Sequence, residues 1–330
     1  MDRFIPYQKG YEPFMDFLKG YLILCILFTH SCQAWDSLRD YSLYCLWGCA
    51  PTGCFMLVSS MHFYRKGIED VRISLWKHII KVILPFLILQ ILVITACLLF
   101  KPDYHLSSTK LISLVKSGGY GMGSYFPWVY IQYLILMMIL TPIIRRINNR
   151  MVMLSFFLLI SISIEILCSV FDINDGLYRI LVLRFPFLIY LGLILDQEGL
   201  FLSNKRILLS LIGLAFILLF EYGQFNMEPF FYNTSWKPYH WICYPYLAFF
   251  LLYFVYLLFR KTNGGRLSRC VMRIGKASYG IFLFQAIWFM LPLCIWDSRV
   301  GAILYMLLSI SICTICGVVL KERIMDYCFR

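Results

Sequence analysis

The stretch FMDFLKGYLILCILFTH, residues 14–30, sets Asp16, Lys19 and His30 into an otherwise apolar run that does not alternate. Strands rarely exceed ten residues and alternate when one face is wet, so the run predicts a helix. Extended to about 14–34, it is long enough at 1.5 Å per residue to cross a hydrocarbon layer roughly 30 Å thick. The rest of the chain repeats the pattern. Of 330 residues, 61% are hydrophobic and 15% charged, with a mean hydropathy of +0.74. Soluble domains are nearer half apolar and a quarter charged, so this chain holds more apolar surface than one core can bury. Lipid must take the excess, which leaves helices or a closed barrel, and long unalternating runs exclude the barrel.

Runs of spanning length fall at about 14–34, 43–63, 76–100, 125–145, 151–171, 178–196, 205–222, 240–260, 275–296 and 300–321. The expectation is an all-α, polytopic membrane protein of about ten transmembrane helices, forming a single domain over 1–330. The first run follows a polar, acidic start and lacks a small-residue cleavage site, so it reads as a retained helix. Ten crossings put both ends of the chain on one side. That side collects 22 of the 30 Lys and Arg, among them Arg65, Lys66, Lys77, Lys81, Arg145, Arg146, Arg266, Arg269 and Arg273. By the positive-inside rule the N- and C-termini are cytoplasmic.

The net charge of +12 is spread over short loops between apolar runs, which argues against a nucleic-acid surface. Most of the 13 cysteines lie in apolar runs, so they do not form a disulfide framework, and Cys313 and Cys316 read as small packing residues. The longest outside connections are about 101–124, with Ser, Gly and Lys, and about 223–239. The second carries Phe230, Phe231, Tyr232, Trp236 and Tyr239, either a platform for sugar rings or a set of interfacial anchors.

Ionisable groups inside spans are costly and so are functional candidates. Lys19 and His30 are eleven residues, about 16 Å, apart along one helical face, with Lys19 at the cytoplasmic mouth and His30 toward the outer leaflet. They read either as a snorkelling lysine and a hydrogen-bonded histidine or as a functional pair. Imidazole suits removal of a hydroxyl proton near neutral pH. Asp16, one turn before Lys19, is placed to pair with it or to favour the helix start. Glu165, within SISIEILCSV, should face the bundle interior or be protonated.

Six segments in order carry a family likeness: Lys19 and His30 with ten residues between them; GCFMLVSSMHFYRKG at 53–67; WKHIIKVILPF at 76–86; PWVYIQYLILMMILTP at 127–142; RFPFLIYLG at 184–192; and IGKASYGIFLFQ at 274–285. Together they resemble the acyltransferase-3 family, ten-helix membrane enzymes that acylate hydroxyls of cell-surface glycans and related acceptors. Lysine stands at positions 19, 77 and 81 where that family has basic residues, most often Arg at the first. Ser60 replaces a glycine, and Gln285 stands where histidine is common. Lysine lacks the bidentate fork of arginine, and an amide cannot exchange a proton as imidazole can.

The resemblance implies an O-acyltransferase of a multi-pass cell membrane, such as a bacterial inner membrane. It takes an acyl group, most simply acetyl, from cytoplasmic acyl-CoA to a hydroxyl of a polysaccharide of the cell envelope or its lipid-linked sugar precursor. His30 is then the base, supported by Lys19 and Asp16. Arg65, Lys77, Lys81, Ser59 and Ser60 face the donor, whose phosphates the cations balance. Trp128, Tyr133, Arg184, Ser278, Tyr279 and Gln285 line the acceptor side. For the small polar residues helix packing is the alternative, for Arg184 a structural ion pair. No bound cofactor and no metal are expected; the partners are acyl-CoA, the glycan or lipid-linked acceptor and membrane lipid, with no nucleic acid. A transporter or flippase for a glycan or small anion, and a non-catalytic relative in glycan assembly, are the competing readings.

Overall fold

The computed structural model describes residues 13–33, 50–66, 68–100, 105–146, 149–198, 211, 252–262, 264–290 and 299–328. Among the described residues the elements are helical. They are α1 (Pro13–Gln33), α2 (Ala50–Lys66), α3 (Ile68–Phe100), α4 (Ser108–Ser117), α5 (Phe126–Arg146), α6 (Arg150–Val170) and α7 (Asp175–Ile180). After a 3₁₀ turn at Val182–Arg184 come α8 (Pro186–Glu198), α9 (252–262), α10 (Arg266–Lys276), α11 (Ser278–Trp288) and α12 (Arg299–Val319), which runs on as a π-helical segment, Leu320–Met325.

Five of these, α1, α3, α5, α6 and α12 with its extension, are long and apolar enough to cross a membrane. Their outward faces carry Leu99, Leu159 and Ile315, each more than 60% exposed, and surfaces of that kind need a hydrocarbon solvent. The central helix is α1: 67% of its spanning window is buried, against 17–35% for the other four.

Two expected spans are interrupted. The run 178–196 is not one helix, because Pro186 supplies no N–H and restricts the residue before it, so the chain passes from α7 through a 3₁₀ turn before α8 begins at the proline. The run 275–296 begins in a separate helix: α10 ends at Lys276, Ala277 takes φ −94° and ψ 5°, and α11 starts at Ser278. Hydropathy averages over such breaks. Helix α10 is amphipathic, burying Ser268, Ile274 and Gly275 and exposing Arg266, Arg269 and Arg273, as suits a helix lying at an interface. Its Arg273 donates to both carboxylate oxygens of Glu322, at 2.7 and 2.6 Å, tying it to the π segment. The expected span 205–222 apart from residue 211, most of 240–260, and the aromatic connection 223–239 lie outside the described residues.

Small residues bring the backbones together, as in membrane bundles where packing replaces the hydrophobic effect. A Cβ on Gly20 would fall 2.1 Å from the carbonyl oxygen of Val271, and one on Gly275 only 1.8 Å from that of Asp16, so α1 and α10 touch backbone to backbone. Gly192 lets α8 meet Leu57 of α2, and Gly280 and Gly317 do the same between α11 and α12. Against this frame Phe14 and Phe17 of α1 pack on Phe259 of α9.

Candidate functional site

A cavity of about 840 Å³ lies beside α1. Lys19, Ile23, Ile26 and His30 line it, spaced four, three and four residues apart, the spacing of one helical face. Thr52, Phe55 and Ser59 do the same from α2, and Ser278, Tyr279 and Phe282 from α11. Phe126 and Tyr130 of α5 form the adjoining wall, with the Phe126 ring 5.5 Å from that of Phe282. Gly176 and Arg179 of α7 complete it.

The remaining wall is the stretch SGGYGMGSY, residues 117–125. Helix α4 starts at Ser107, whose hydroxyl accepts from Lys110 N–H, and stops at Gly118 in the left-handed region at φ 83°. Gly119, Gly121 and Gly123 also have positive φ, so the backbone turns repeatedly and no side chain other than glycine's would follow it without strain. The loop is pinned from outside. Gln90 of α3 accepts from Tyr120 N–H at 2.6 Å and donates to Tyr120 C=O at 3.1 Å; Trp128 donates to Gly118 C=O at 2.7 Å. Gln132 of α5 likewise holds the end of α7, donating to Ile180 C=O at 2.6 Å and accepting from Val182 N–H at 3.2 Å.

Removing the Gln90 clamp takes away one hydrogen bond to a peptide N–H and one to a peptide C=O, each loss costing about 1–3 kcal/mol where water cannot replace it. Gln90→Leu is therefore expected to lower the thermal midpoint of the detergent-solubilised protein by several degrees. An unchanged midpoint would show that the loop is not held by Gln90.

Polar groups mark the two ends of the α1 face. Asp16 is fully buried and pairs with Lys19 at 2.9 Å, with Lys276 of α10 close enough to add its charge. Eleven residues further, half-buried His30 meets Gln285 of α11, Nδ1 to Oε1 at 3.2 Å, with the Phe289 ring edge-on at 5.9 Å. An amide oxygen only accepts, so Nδ1 carries the proton and Nε2 keeps its lone pair. Among the described residues no Asp or Glu lines the cavity, and no group of three His, Cys, Asp or Glu side chains is placed to hold a metal ion. The arrangement offers one proton acceptor facing a pocket with cations at its edges.

A family model for an acyltransferase domain, Acyl_transf_3, matches residues 12–320. The chain belongs to the acyltransferase-3 family. Comparison with curated proteins and with solved structures gave no match. With its apolar helices, membership makes this acyltransferase-family chain a multi-pass membrane protein.

Of the residues singled out in the sequence, the cavity gathers Lys19, His30, Ser59, Ser278 and Tyr279, with Asp16 and Gln285 directly behind two of them. The Tyr279 hydroxyl donates to Val82 C=O and its ring stacks on Phe282. Lys77 and Lys81 are exposed on α3 and do not line it. The side chains of Arg65 and Glu165 lie outside those described. Ser60 faces away: it is fully buried, donates to Met56 C=O, and would meet a Cβ on Gly192. Tyr133 is buried beside Ser60, and Trp128 acts on the loop instead of lining the pocket. Arg184 packs over the rings of Phe185, Tyr125 and Tyr178 at 4.6, 5.0 and 5.8 Å, one shell outside the cavity that Arg179 reaches. Arg179 and Gln90 carry no signal in the sequence, and the glycine loop reads there only as part of the connection 101–124, although four glycines within residues 118–123 were a signal.

Proposed function

We propose that the protein is a membrane O-acyltransferase with both termini cytoplasmic and about ten crossings. It moves an acyl group, most simply acetyl, from acyl-CoA to a hydroxyl of a glycan or lipid-linked sugar. The observation that carries this reading is the pairing of His30 with Gln285 at one end of a cavity whose other end holds Lys19. Nε2 takes the acceptor hydroxyl proton, and the oxygen attacks the thioester carbonyl. The thiolate then leaves with the proton returned from His30. An extended thioester arm suits the roughly 16 Å between Lys19 and His30. Lys19 at the cavity and Lys276 near Asp16 put basic groups at that end, which suits the donor phosphates. A donor of this kind requires no metal and no resident cofactor.

The test is purified protein in vesicles with radiolabelled acetyl-CoA, together with mass spectrometry of surface glycans from cells with and without the chain. Transfer of label and an added acyl mass support the reading. Movement of the acceptor across vesicles without any acyl donor would overturn it in favour of transport. Lys19→Met is expected to raise KM for the donor about tenfold, one charge contact's worth, with kcat within threefold of the parent. A purely structural lysine would instead lower the amount of folded protein and leave KM unchanged.

A further inference from the structure

Gln285 is entirely buried and has two polar ends in two different situations. Its Oε1 is engaged with His30 Nδ1, whereas its Nε2 makes no hydrogen bond among the described residues. An amide N–H sealed from water without an acceptor is costly, and in native structures such an orphan calls for a reason. The surroundings supply one. Gly123 lines the cavity, and a Cβ built on it would fall 3.6 Å from Gln285 Nε2 and 2.8 Å from Phe282 Cε2. Gln285 of α11 thus stands behind the lining residues, and the missing side chain at Gly123 lets its Nε2 approach the wall formed by the loop that Gln90 and Trp128 hold in place.

We infer that Gln285 is a further catalytic residue: its Nε2–H donates to the acyl carbonyl oxygen as that oxygen gains negative charge, while its Oε1 fixes the tautomer of His30. The inference rests on the acyltransferase reading above and extends it to the stabilisation of the tetrahedral intermediate. The acceptor O–H proton passes to His30 Nε2 and the C–O bond forms. The carbonyl electron pair moves to oxygen and is held by Gln285 Nε2–H. The pair then returns, the C–S bond breaks, and the thiolate takes the proton from His30. One amide links the two events. As His30 becomes cationic its Nδ1–H pulls harder on Oε1, which polarises the carboxamide and sharpens Nε2–H as a donor while the oxyanion forms.

Three variants test it in the vesicle assay, each checked for folding by size-exclusion chromatography. Gln285→Glu keeps an acceptor for His30 and, when ionised, has no donor; at neutral pH kcat is expected to fall about 10²-fold with KM for acetyl-CoA unchanged. Gln285→Met loses both roles and is expected to fall further. Gln285→His carries a ring N–H and a ring acceptor on one side chain, and is expected to recover turnover to within about tenfold of the parent. Parental kcat in folded Gln285→Glu, a loss confined to KM, or a folded Gln285→His no better than Gln285→Met would each overturn the inference. If Gln285→Met does not fold, the Glu and His variants decide against the parent. His30→Ala in the same assay separates the two levels: full transfer there strikes the acyltransferase base itself, whereas its loss beside an unaffected Gln285→Glu strikes only the role of Gln285.

Discussion

His30→Ala is expected to cut acyl transfer by about 10⁴-fold, the upper end of what a positioned base supplies. The size follows from what else the cavity holds. Among the described residues no carboxylate and no second histidine line it, Lys19 is paired with Asp16 at the opposite end, and the lining tyrosines and serines are poor proton acceptors near neutral pH. Nothing stands ready to replace the imidazole. Donor affinity should be unchanged, because Lys19 lies about 16 Å away along α1. The measurement is initial rate against acetyl-CoA concentration in vesicles, for parent and variant at equal folded protein. A variant retaining more than a tenth of the parental kcat would remove His30 from the chemistry and leave it a structural partner of Gln285.

The second large effect concerns the frame. Gly275→Ala is expected to abolish recovery of folded protein, because the added Cβ would lie 1.8 Å from the carbonyl oxygen of Asp16, 2.7 Å from its carbon and 2.8 Å from the nitrogen of Gly20. All three are backbone atoms, so no rotamer change relieves the clash, and α10 must move bodily off α1. Ordinary overpacking costs about 1–3 kcal/mol, and a backbone collision at the central helix should meet or exceed that. The readout is the monodisperse fraction on size-exclusion chromatography in mild detergent. Leu99→Ala, on a lipid-facing side chain 72% exposed, serves as the neutral comparison. A monodisperse Gly275→Ala protein with the parental thermal midpoint would show that α1 and α10 do not meet as closely as described.

How much of this was legible in the sequence depended on distance along the chain. The α1 face was legible because Lys19, Asp16 and His30 interact through helical spacing, and the pairing of Asp16 with Lys19 is a local event three residues long. Gln285 was visible as a departure from the family pattern, but its meeting with His30 across 255 residues was not. The lysines of WKHIIKVILPF are a contrasting case. Their spacing puts Lys77 and Lys81 on one side of α3, yet spacing does not say which side faces the cavity, and it is Val82 that does. Arg184 stands out in the sequence because it opens the RFPFLIYLG motif, whereas Arg179, which lies in no motif, reaches the cavity from α7. The glycine loop was read as a connection because its shape is imposed by Gln90 and Trp128, residues of other helices.

The cavity beside α1 also has an electrical consequence. The cavity opens space beside α1 between Lys19 and His30, and water admitted there would shorten the insulating layer over which the membrane voltage falls. A full crossing by one elementary charge is worth about 2.3 kcal/mol per 100 mV. On the proposed chemistry the proton would stand on His30 while the negative charge still lies on the substrate, so the intermediate would separate charge along a fraction of that field. Energised vesicles should then turn over at a different rate from collapsed ones at identical substrate concentrations, making the cell's membrane potential a silent participant in a reaction that carries no ion across.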